Sequence, residues 1–418
     1  MRDEPGSRGV ARPPAILLGA DTPIGLAVIR ELGRHGVAVH AVARTPRGVG
    51  LYSRWTTQRY VRPPGGQDAT IALINAIAAR HDAKIVLAVS EVDLALLRSA
   101  ADRGQMPGVR VLVAGARQLA IVADKTETCR IAREVGIPVP MTWQPEPGEL
   151  PPPIPDGLRF PCVLKWSNPE AASPLLERHG IALLKSEYCY DARELSEKLA
   201  RYVPIGAYPL VQAFCPGVGL GHMIFMHEGR ALLRFQHRRI SEWPPEGGTS
   251  TVCESLPLTE NAALLAKSEE LLRRIGWEGA AMVEYRFDPK TGDSVLMEVN
   301  GRFWGSLPLA YHAGAPFAWF TYSVLGLGET PAALPPYRIG LRARYMIPET
   351  RRVLALLLRK GKTANRSLVF NPPRELFSYL RDFLRPRTRY YVFSLADPLP
   401  FFADLGFVMH KTFRRPRA

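Results

Sequence analysis

Short apolar runs alternate with segments of helical spacing through the first part of the chain. The apolar runs lie at residues 15–19, 37–42, 85–89 and 109–114, and the helical patterns between them lie at 25–36 and 70–80. Strands that alternate with helices are typical of a parallel, doubly wound sheet. The sequence therefore predicts a Rossmann-like first domain over residues 13–120, preceded by a disordered tail over residues 1–12.

The loop after the first apolar run contains Gly19 and Gly25. This spacing differs from the Gly-x-Gly-x-x-Gly pattern of dinucleotide-binding folds, and Arg44 follows the second run where such folds place an acid. The interpretation is a tight strand-to-helix turn. A nicotinamide-dependent oxidoreductase built on this domain stays as an alternative hypothesis.

The composition is that of an ordinary globular protein. Of the 418 residues, 46% are apolar and 22% are charged, and no continuous apolar run is long enough to cross a bilayer. The polar, basic start is not typical of a secretory signal. Five cysteines are scattered singly without a Cys-x-x-Cys pair, which indicates reduced thiols and a cytoplasmic location.

Positive charge is concentrated near the end of the chain. Residues 335–418 contain 18 Lys and Arg against 5 Asp and Glu, whereas the whole chain has a net charge of +15. Such a segment favours an anionic partner, either the inner face of a membrane or a polyanionic intermediate. The other interpretation is generous use of arginine, since only 10 of the 54 basic residues are Lys. No motif of a nucleic-acid-binding module is present, so nucleic acid is a minor option.

Two acidic strands carry the most specific chemical signal. A turn at Gly292 separates residues 283–288 from residues 295–299, which predicts a β-hairpin. Because side chains alternate faces along a strand, Glu298 and Asn300 point the same way, and Glu284 can lie beside them. Oxygen ligands of this kind suit Mg²⁺, with Mn²⁺ as an alternative, alongside nucleotide phosphates. Arg302 follows at once and is suited to bind a phosphate or carboxylate.

Further candidates precede this hairpin in the chain. Lys125 opens a helix for which Asp124 is the expected N-cap, and Lys165 ends an apolar strand whose expected partner strand is residues 181–185. The other candidates are Gln212, Phe214 and Cys215 near Pro216-Gly217, then Arg238 and Arg239 on a hairpin before a Gly247-Gly248 loop. Basic residues on a strand before a glycine loop are suited to bind a carboxylate or a phosphate, and the alternative is a surface hairpin with solvated arginines. His237 is expected to pack or hydrogen-bond.

Taken in order, these motifs resemble the ATP-grasp superfamily over about residues 13–328, and most of all its carboxylate–amine ligase branch. The resemblance implies a pre-ATP-grasp domain, an ATP-grasp domain over residues 121–330 and a basic C-terminal appendage over residues 331–418. It implies an ATP- and Mg²⁺-dependent enzyme that activates a carboxylate as an acyl phosphate and joins it to an amine, releasing ADP and phosphate. A homodimer is a further hypothesis.

The resemblance also implies a role for each candidate. Lys125 and Lys165 would bind ATP phosphates, Gln212 would lie at the adenine edge, and the backbone of Phe214 and Cys215 would line the hinge. The expected metal ligands are Glu284, Glu298 and Asn300. The catalytic candidates are Arg302, Arg238 and Arg239.

Two departures from the family pattern keep alternatives open. Residues 166–179 lack the glycines of a phosphate-covering lid, and Gly217-Val218-Gly219 stands where an acid often binds the ribose. A non-catalytic ATP-binding regulator or scaffold is therefore one alternative. A carboxylase-type enzyme with a separate carrier is another, because the chain has no biotin-carrier segment of its own.

Overall fold

In the computed structural model of the chain, the residues described are 12–147, 152–167, 169–184, 186–329, 331–332, 334–363, 365–366 and 368–413. Within them the strands form three sheets. The tail expected over residues 1–12 lies outside the described residues except for Arg12.

The first sheet is parallel and has helices between its strands. Its elements are β1 (Ala15–Leu18), α1 (Pro23–Arg34), β2 (Val39–Ala43), β3 (Thr56–Val61), α2 (Gly66–His81), β4 (Ile85–Ala88), α3 (Glu91–Asp102) and β5 (Arg110–Val111). The strand order is β3-β2-β1-β4-β5. The predicted doubly wound sheet is confirmed, although its last strand is shorter than the apolar run at 109–114. The strand order reverses between β1 and β4, so a crevice opens at their carboxyl ends.

The second sheet is small and antiparallel. Its region contains α4 (Ala116–Ala123), α5 (Lys125–Glu134), β6 (Thr142–Trp143), β7 (Cys162–Lys165), α6 (Pro169–Arg178), β8 (Glu187–Cys189), α7 (Ala192–Ala200) and β9 (Leu210–Ala213), with order β6-β9-β7-β8. The partner strand predicted at 181–185 is wrong: residues 181–184 have no regular structure, and β8 pairs with β7 instead. Three of the four side chains at 181–184 are exposed, so they have no face to bury against β7.

The third sheet has seven strands and forms the centre of the molecule. Its region contains β10 (Val218–His227), β11 (Arg230–Trp243), β12 (Thr249–Leu256), α8 (Ala262–Ile275), β13 (Gly279–Phe287), β14 (Ser294–Asn300), α9 (Leu307–Ala313), α10 (Phe317–Phe320), β15 (Arg342–Arg344), α11 (Met346–Leu358), α12 (Pro372–Arg381), β16 (Thr388–Tyr390) and α13 (Leu399–Phe413). The strand order is β14-β13-β10-β11-β12-β15-β16.

The two faces of the third sheet bury different layers. Phe225, Phe235 and Met282 belong to a core shared with α1 and the first sheet. Ile224 and Val283, on the opposite face, pack in a core that includes α8. This alternation follows the two-residue period of a strand. The face that carries Phe225 packs against the first domain, and the opposite face packs against α8. None of the helices in the described part of the chain combines the length and apolar character needed to span a bilayer.

The C-terminal segment is built into the fold, which corrects the expected appendage. β15 pairs with β12, and β16 pairs with β15, so two of the seven strands come from this segment. Asp397 is buried and accepts a hydrogen bond from Arg30 Nε at 2.9 Å and from Ser53 Oγ at 2.7 Å. A buried ion pair therefore holds the C-terminal segment to the first domain.

Candidate active site

Two neighbouring cavities lie on one side of the third sheet. The smaller has a volume of about 280 Å³ and extends between the second and third sheets. The larger, of about 650 Å³, extends to the carboxyl ends of β1 and β4. The side chains that line both are Arg239, Glu284 and Glu298, and Gly248 does so as well. A molecule in one cavity therefore reaches the same groups as a molecule in the other.

The smaller cavity collects the residues expected to bind a nucleotide. They are Lys125, Lys165, Gln212, Phe214 and Cys215. Lys165 ends β7 and its Nζ lies 3.4 Å from Oε1 of Gln212, in the paired strand β9. Burial and the neighbouring cation of Lys125 lower the pKa of Lys165 to about 8. An anion bound in this cavity would offset the repulsion between the two lysines, because an opposite charge nearby stabilises the charged amine and raises its pKa again.

The predicted acidic hairpin is confirmed, and its register places the acids together. Glu284 of β13 is directly opposite Glu298 of β14, and Asn300 lies two residues further along β14. Asn300 Nδ2 donates to Glu298 Oε1 at 3.0 Å, and Lys125 Nζ lies 3.8 Å from Glu298 Oε2. Asp124 caps the helix of Lys125 as expected, since its carboxylate accepts from the backbone N–H of Thr126 at 2.8 Å.

The two acids have opposite electrostatic surroundings. Burial raises the pKa of Glu284, although Arg239 beside it opposes this effect, and the charge of Glu298 adds to it. Burial also acts to raise the pKa of Glu298, but Lys125 and the hydrogen bond from Asn300 outweigh it, so that pKa is lowered. Glu298 is therefore the more firmly ionised of the two acids.

These oxygen donors fit a hard divalent cation. Glu284 and Glu298 line both cavities, and Asn300 lines the larger one. The described residues hold no group of three or more His, Cys, Asp or Glu side chains arranged to bind a metal by themselves. Two carboxylates and an amide suit an ion that completes its shell with phosphate oxygens and water, as Mg²⁺ does.

A buried network of alternating charges surrounds Glu284. Arg239 of β11 donates to Glu284 Oε2 at 2.5 Å and to Glu242 Oε1 at 2.9 Å. Arg286 donates to the other oxygen of Glu242 at 3.1 Å. These partners raise the pKa of Arg239 against its burial, and Arg286 and Arg239 lower the pKa of Glu242 against its own burial. The sequence analysis missed Glu242 and Arg286, although Arg286 lies two residues after Glu284 and therefore on its face of the strand.

Arg238 and Arg239 separate to opposite faces of β11. Arg238 donates to Glu254 Oε2 at 2.6 Å and lines neither cavity, so its position does not match the catalytic role predicted for it. The alternation of a strand explains this: only one of two consecutive residues can face the cavities. His237 is buried, its Nδ1 lies 3.1 Å from Ser306 Oγ, and burial lowers its pKa well below the usual value, in line with the expected packing role.

The larger cavity reaches the first sheet at the crevice between β1 and β4. The lining there includes Gly19, Asp21, Arg44, Ser90 and Glu91. Arg302, just beyond β14, donates from Nε to Glu91 Oε1 at 3.0 Å. Arg302 therefore lines the larger cavity and is already paired with an acid of the first domain. Glu91 is a lining residue that the sequence analysis did not single out.

Two segments stand where a phosphate-covering lid is expected. Part of the glycine-poor stretch after Lys165 forms α6, not a loop. From the other side, the loop between β11 and β12 brings Gly247 and Gly248 to the smaller cavity, where Tyr188 Oη donates to the backbone oxygen of Glu246 at 2.9 Å. Gly248 has no room for a Cβ, which would lie 2.1 Å from the backbone oxygen of Trp243. The turn of this loop therefore requires glycine at position 248, where the chain packs closely against its own backbone.

Comparisons with known proteins find similarity in structure but not in sequence. No protein-family model matches the chain, and no curated protein matches it in sequence. Among solved structures, an L-amino acid ligase from Bacillus licheniformis aligns with a TM-score of 0.55 and 15% identity, over 76% of this chain and 74% of that one.

Two further structures illustrate the range of similar proteins. An N5-carboxyaminoimidazole ribonucleotide synthetase, solved as its ADP complex, aligns with a TM-score of 0.59 and 10% identity over 88% of this chain and 96% of that one. The biotin carboxylase domain of a 2-oxoglutarate carboxylase from Hydrogenobacter thermophilus, solved with MgADP and bicarbonate, has a TM-score of 0.57 and 14% identity over 78% of this chain and 73% of that one.

The chain has the ATP-grasp fold shared by these enzymes.

Proposed function

We propose that this protein is an ATP-dependent ligase that activates a carboxylate as an acyl phosphate and joins it to an amine. The observation that carries the proposal is the meeting of two cavities at Arg239, Glu284 and Glu298. A donor nucleotide and an acceptor in separate cavities that share charged groups are in the arrangement that direct phosphoryl transfer requires.

ATP is assigned to the smaller cavity. Its adenine would lie against β9 and the Phe214–Cys215 backbone, and its phosphates would extend toward Lys165 and Lys125. Because Lys165 is buried beside Lys125, the two cations favour a ligand that brings several negative charges. Lys125 lies 3.8 Å from Glu298 of the acidic hairpin, and the charge of Glu298 also acts on Lys165. The triphosphate would thus run toward the larger cavity.

Glu284, Glu298 and Asn300 would hold Mg²⁺, which would neutralise phosphate charge and keep the triphosphate in position. Burial raises the pKa of Glu284, and Arg239 opposes that rise because its guanidinium lies 2.5 Å from the carboxylate. Glu242 and Arg286 hold Arg239 in place in turn. With Mg²⁺ and ATP bound, the network would orient a metal ligand and would provide a cation beside the phosphates.

The carboxylate and the amine are assigned to the larger cavity. An oxygen of the carboxylate attacks the γ-phosphorus, the bond to the β,γ-bridging oxygen breaks, and ADP leaves. The amine then attacks the acyl carbon, loses a proton and expels phosphate. Arg302 would stabilise the acyl phosphate after it exchanges Glu91 for the substrate, because a guanidinium binds phosphate and carboxylate oxygens in the same fork geometry.

Trapping with hydroxylamine tests the proposal without knowledge of the amine. The protein is incubated with Mg-ATP, hydroxylamine and pools of carboxylic acids, and hydroxamate and ADP are measured. We expect both products from the wild type and neither from Glu298→Gln, whereas Glu270→Gln, at a half-buried acid on α8 that pairs with Arg273 and Arg274, is the control. Hydroxamate from Glu298→Gln at the wild-type rate would overturn the assigned site.

A carboxylase-type reaction is the second candidate, and the similarity to biotin carboxylase domains supports it. In that case bicarbonate would take the place of the carboxylate, and a separate carrier would supply the nitrogen. ADP release that requires bicarbonate and yields no hydroxamate with any acid would favour this candidate. A regulator that binds ATP without turnover would release no ADP under either condition.

A further inference from the structure

The surface of α11 and α12 has an unusual separation of charge. Residues 346–390 contain eleven Lys and Arg and three acids. The acids are Glu349, Glu375 and Asp382, which accept from Arg344 at 2.8 Å, from Arg352 at 2.7 Å and from Arg342 at 2.9 Å. All three acid side chains are a quarter exposed or less. The acids of this segment are therefore committed to internal ion pairs.

Most of the basic residues of the same segment face outward. The exposed ones are Arg351, Arg359, Lys360, Lys362, Arg366, Arg374, Arg381, Arg385, Arg387 and Arg389. Two of these contact acids, Arg366 at Glu194 and Arg385 at the inward-facing Asp382. The exposed side of the segment thus has a strongly positive field with no exposed acid of its own to balance it.

Large apolar side chains lie among these cations. Leu358 of α11 is 84% exposed, Leu384 just after α12 is 85% exposed, and Phe377 of α12 is 64% exposed. Leu354 is also exposed and shares a face of α11 with Leu358, since the two are four residues apart, and Leu380 near the end of α12 is exposed as well. Exposed apolar side chains grouped in this way mark interaction sites more often than single ones do.

The two helices form one surface because they are held together. Arg352 of α11 donates to Glu375 of α12, and the hydroxyl oxygens of Thr350 and Tyr379 lie 2.9 Å apart. A chain of ring contacts continues the surface from α12 to α13: Phe383, Tyr390, Phe393, Phe401 and Phe402 follow one another with centroids 5.3–6.4 Å apart. Phe383 and Phe402, at the ends of this chain, are exposed.

We propose that this basic–apolar surface, formed by the exposed residues of α11, α12 and the turn at Leu384, binds the interface of an anionic lipid bilayer. Helices that lie on such membranes combine lysines and arginines with exposed leucines and phenylalanines, and the apolar side chains enter the acyl boundary while the cations contact the head groups. A second copy of the chain is a poor occupant, because it would place two positive surfaces together. Nucleic acid would satisfy the cations but leave the leucines in water.

Vesicle co-sedimentation of the full-length protein tests this proposal. The vesicles are phosphatidylcholine alone or phosphatidylcholine mixed with phosphatidylglycerol. We expect sedimentation with the mixed vesicles only, and a progressive loss as salt is added. Leu384→Ser should lower the partition coefficient about tenfold because it removes a buried apolar group, and Arg381→Glu should lower it at least about fivefold.

Matched controls separate a surface effect from a folding effect. Val61→Ser and Arg80→Glu change an exposed apolar and an exposed basic side chain in the first domain, and they should leave sedimentation unchanged. Equal binding to neutral and mixed vesicles, or none to either, would overturn the proposal. It would also fail if a DNA or RNA oligonucleotide bound the protein and Leu384→Ser left vesicle binding intact. The proposal would likewise fail if sedimentation velocity showed that the wild type is a dimer and that Leu384→Ser dissociates it, because the surface would then be a contact between two copies of the chain.

Discussion

Arg302 and Glu91 connect the two halves of the candidate site: Nε of Arg302 lies 3.0 Å from Oε1 of Glu91, 211 positions away in the sequence. Arg302 follows the last acidic strand of the third sheet, and Glu91 is the first residue of α3 in the first domain. The arginine assigned to the acyl phosphate is therefore already held by a carboxylate in the substrate cavity.

Glu91→Gln should tighten binding of the anionic substrate. The wild-type arginine must exchange its partner when the substrate enters, and the neutral amide reduces that cost. Glu91 is 72% exposed, so the ion pair is weak and we expect KM for the carboxylate to fall by about twofold to fivefold with kcat nearly unchanged. Steady-state kinetics with the acid found by hydroxamate trapping measure this. A rise in KM would mean that Glu91 itself binds substrate.

Arg239 and Arg238 form a natural pair for substitution, because they are adjacent but face opposite sides of β11. Arg239→Leu should abolish turnover and lower the free energy of unfolding by about 3–5 kcal/mol, since it leaves Glu284 buried without its cation and leaves Glu242 with Arg286 alone. Arg238→Leu should keep most of the turnover, since its partner Glu254 retains Arg342. Turnover and urea denaturation of both variants check this, and equal loss in the two would contradict the assigned faces.

Lys165 should make ATP binding depend on pH. Its pKa is lowered to about 8, so in the free protein the amine loses its charge as pH rises through that value. We expect the Kd for Mg-ATP to increase above about pH 8, and Lys165→Arg to remove that step because a guanidinium stays charged. Lys165→Ala should weaken binding about tenfold or more at neutral pH, whereas Lys267→Ala, at an exposed lysine on α8, should not. Calorimetric titration at several pH values measures the Kd for Mg-ATP in each variant. A wild-type Kd that does not change with pH would exclude phosphate binding by the charged Lys165.

Glu31 should make the stability of the fold depend on pH. It is fully buried in α1, accepts from the backbone N–H of Trp319 at 2.7 Å, and has a pKa raised to about 8 by burial. The folded chain therefore retains a proton that the unfolded chain releases above its ordinary pKa of about 4.5. The stabilising contribution of the protonated Glu31 is therefore complete below about pH 4.5 and is lost as pH rises through about 8.

The variant Glu31→Gln isolates this effect. It keeps an acceptor for Trp319 but cannot ionise, so its free energy of unfolding should exceed that of the wild type by a few kcal/mol near pH 9 and approach it near pH 4. Urea denaturation at a series of pH values measures the difference. A difference that does not change with pH would show that Glu31 stays ionised in the folded chain.

The local patterns of the sequence were enough to predict most of the elements that carry the site. The apolar runs around Leu17 and Ile85 predicted a parallel sheet, and the turn at Gly292 predicted the acidic hairpin, because strand pairing here follows from neighbouring segments. That Glu284 lies near Glu298 also followed from this local pairing, whereas their directly opposed register is seen only in the structure. The strand expected at residues 181–185 failed for the opposite reason, since a short apolar run has no preference until a partner buries one of its faces.

What tertiary structure decided is which residues from distant segments come together. Sequence alone identified Lys165, Glu298 and Arg302 as chemically significant and placed Arg238 and Arg239 in one basic strand. Only the tertiary structure showed that Arg238 faces away from the cavities. It also showed that Glu242 pairs with Arg239 and that Glu91 pairs with Arg302. The pairing of β15 and β16 of the basic C-terminal segment with the third sheet was likewise seen only there. These outcomes depend on strand register and on contacts between residues hundreds of positions apart, and the free energy of such contacts is absent from any local pattern in the chain.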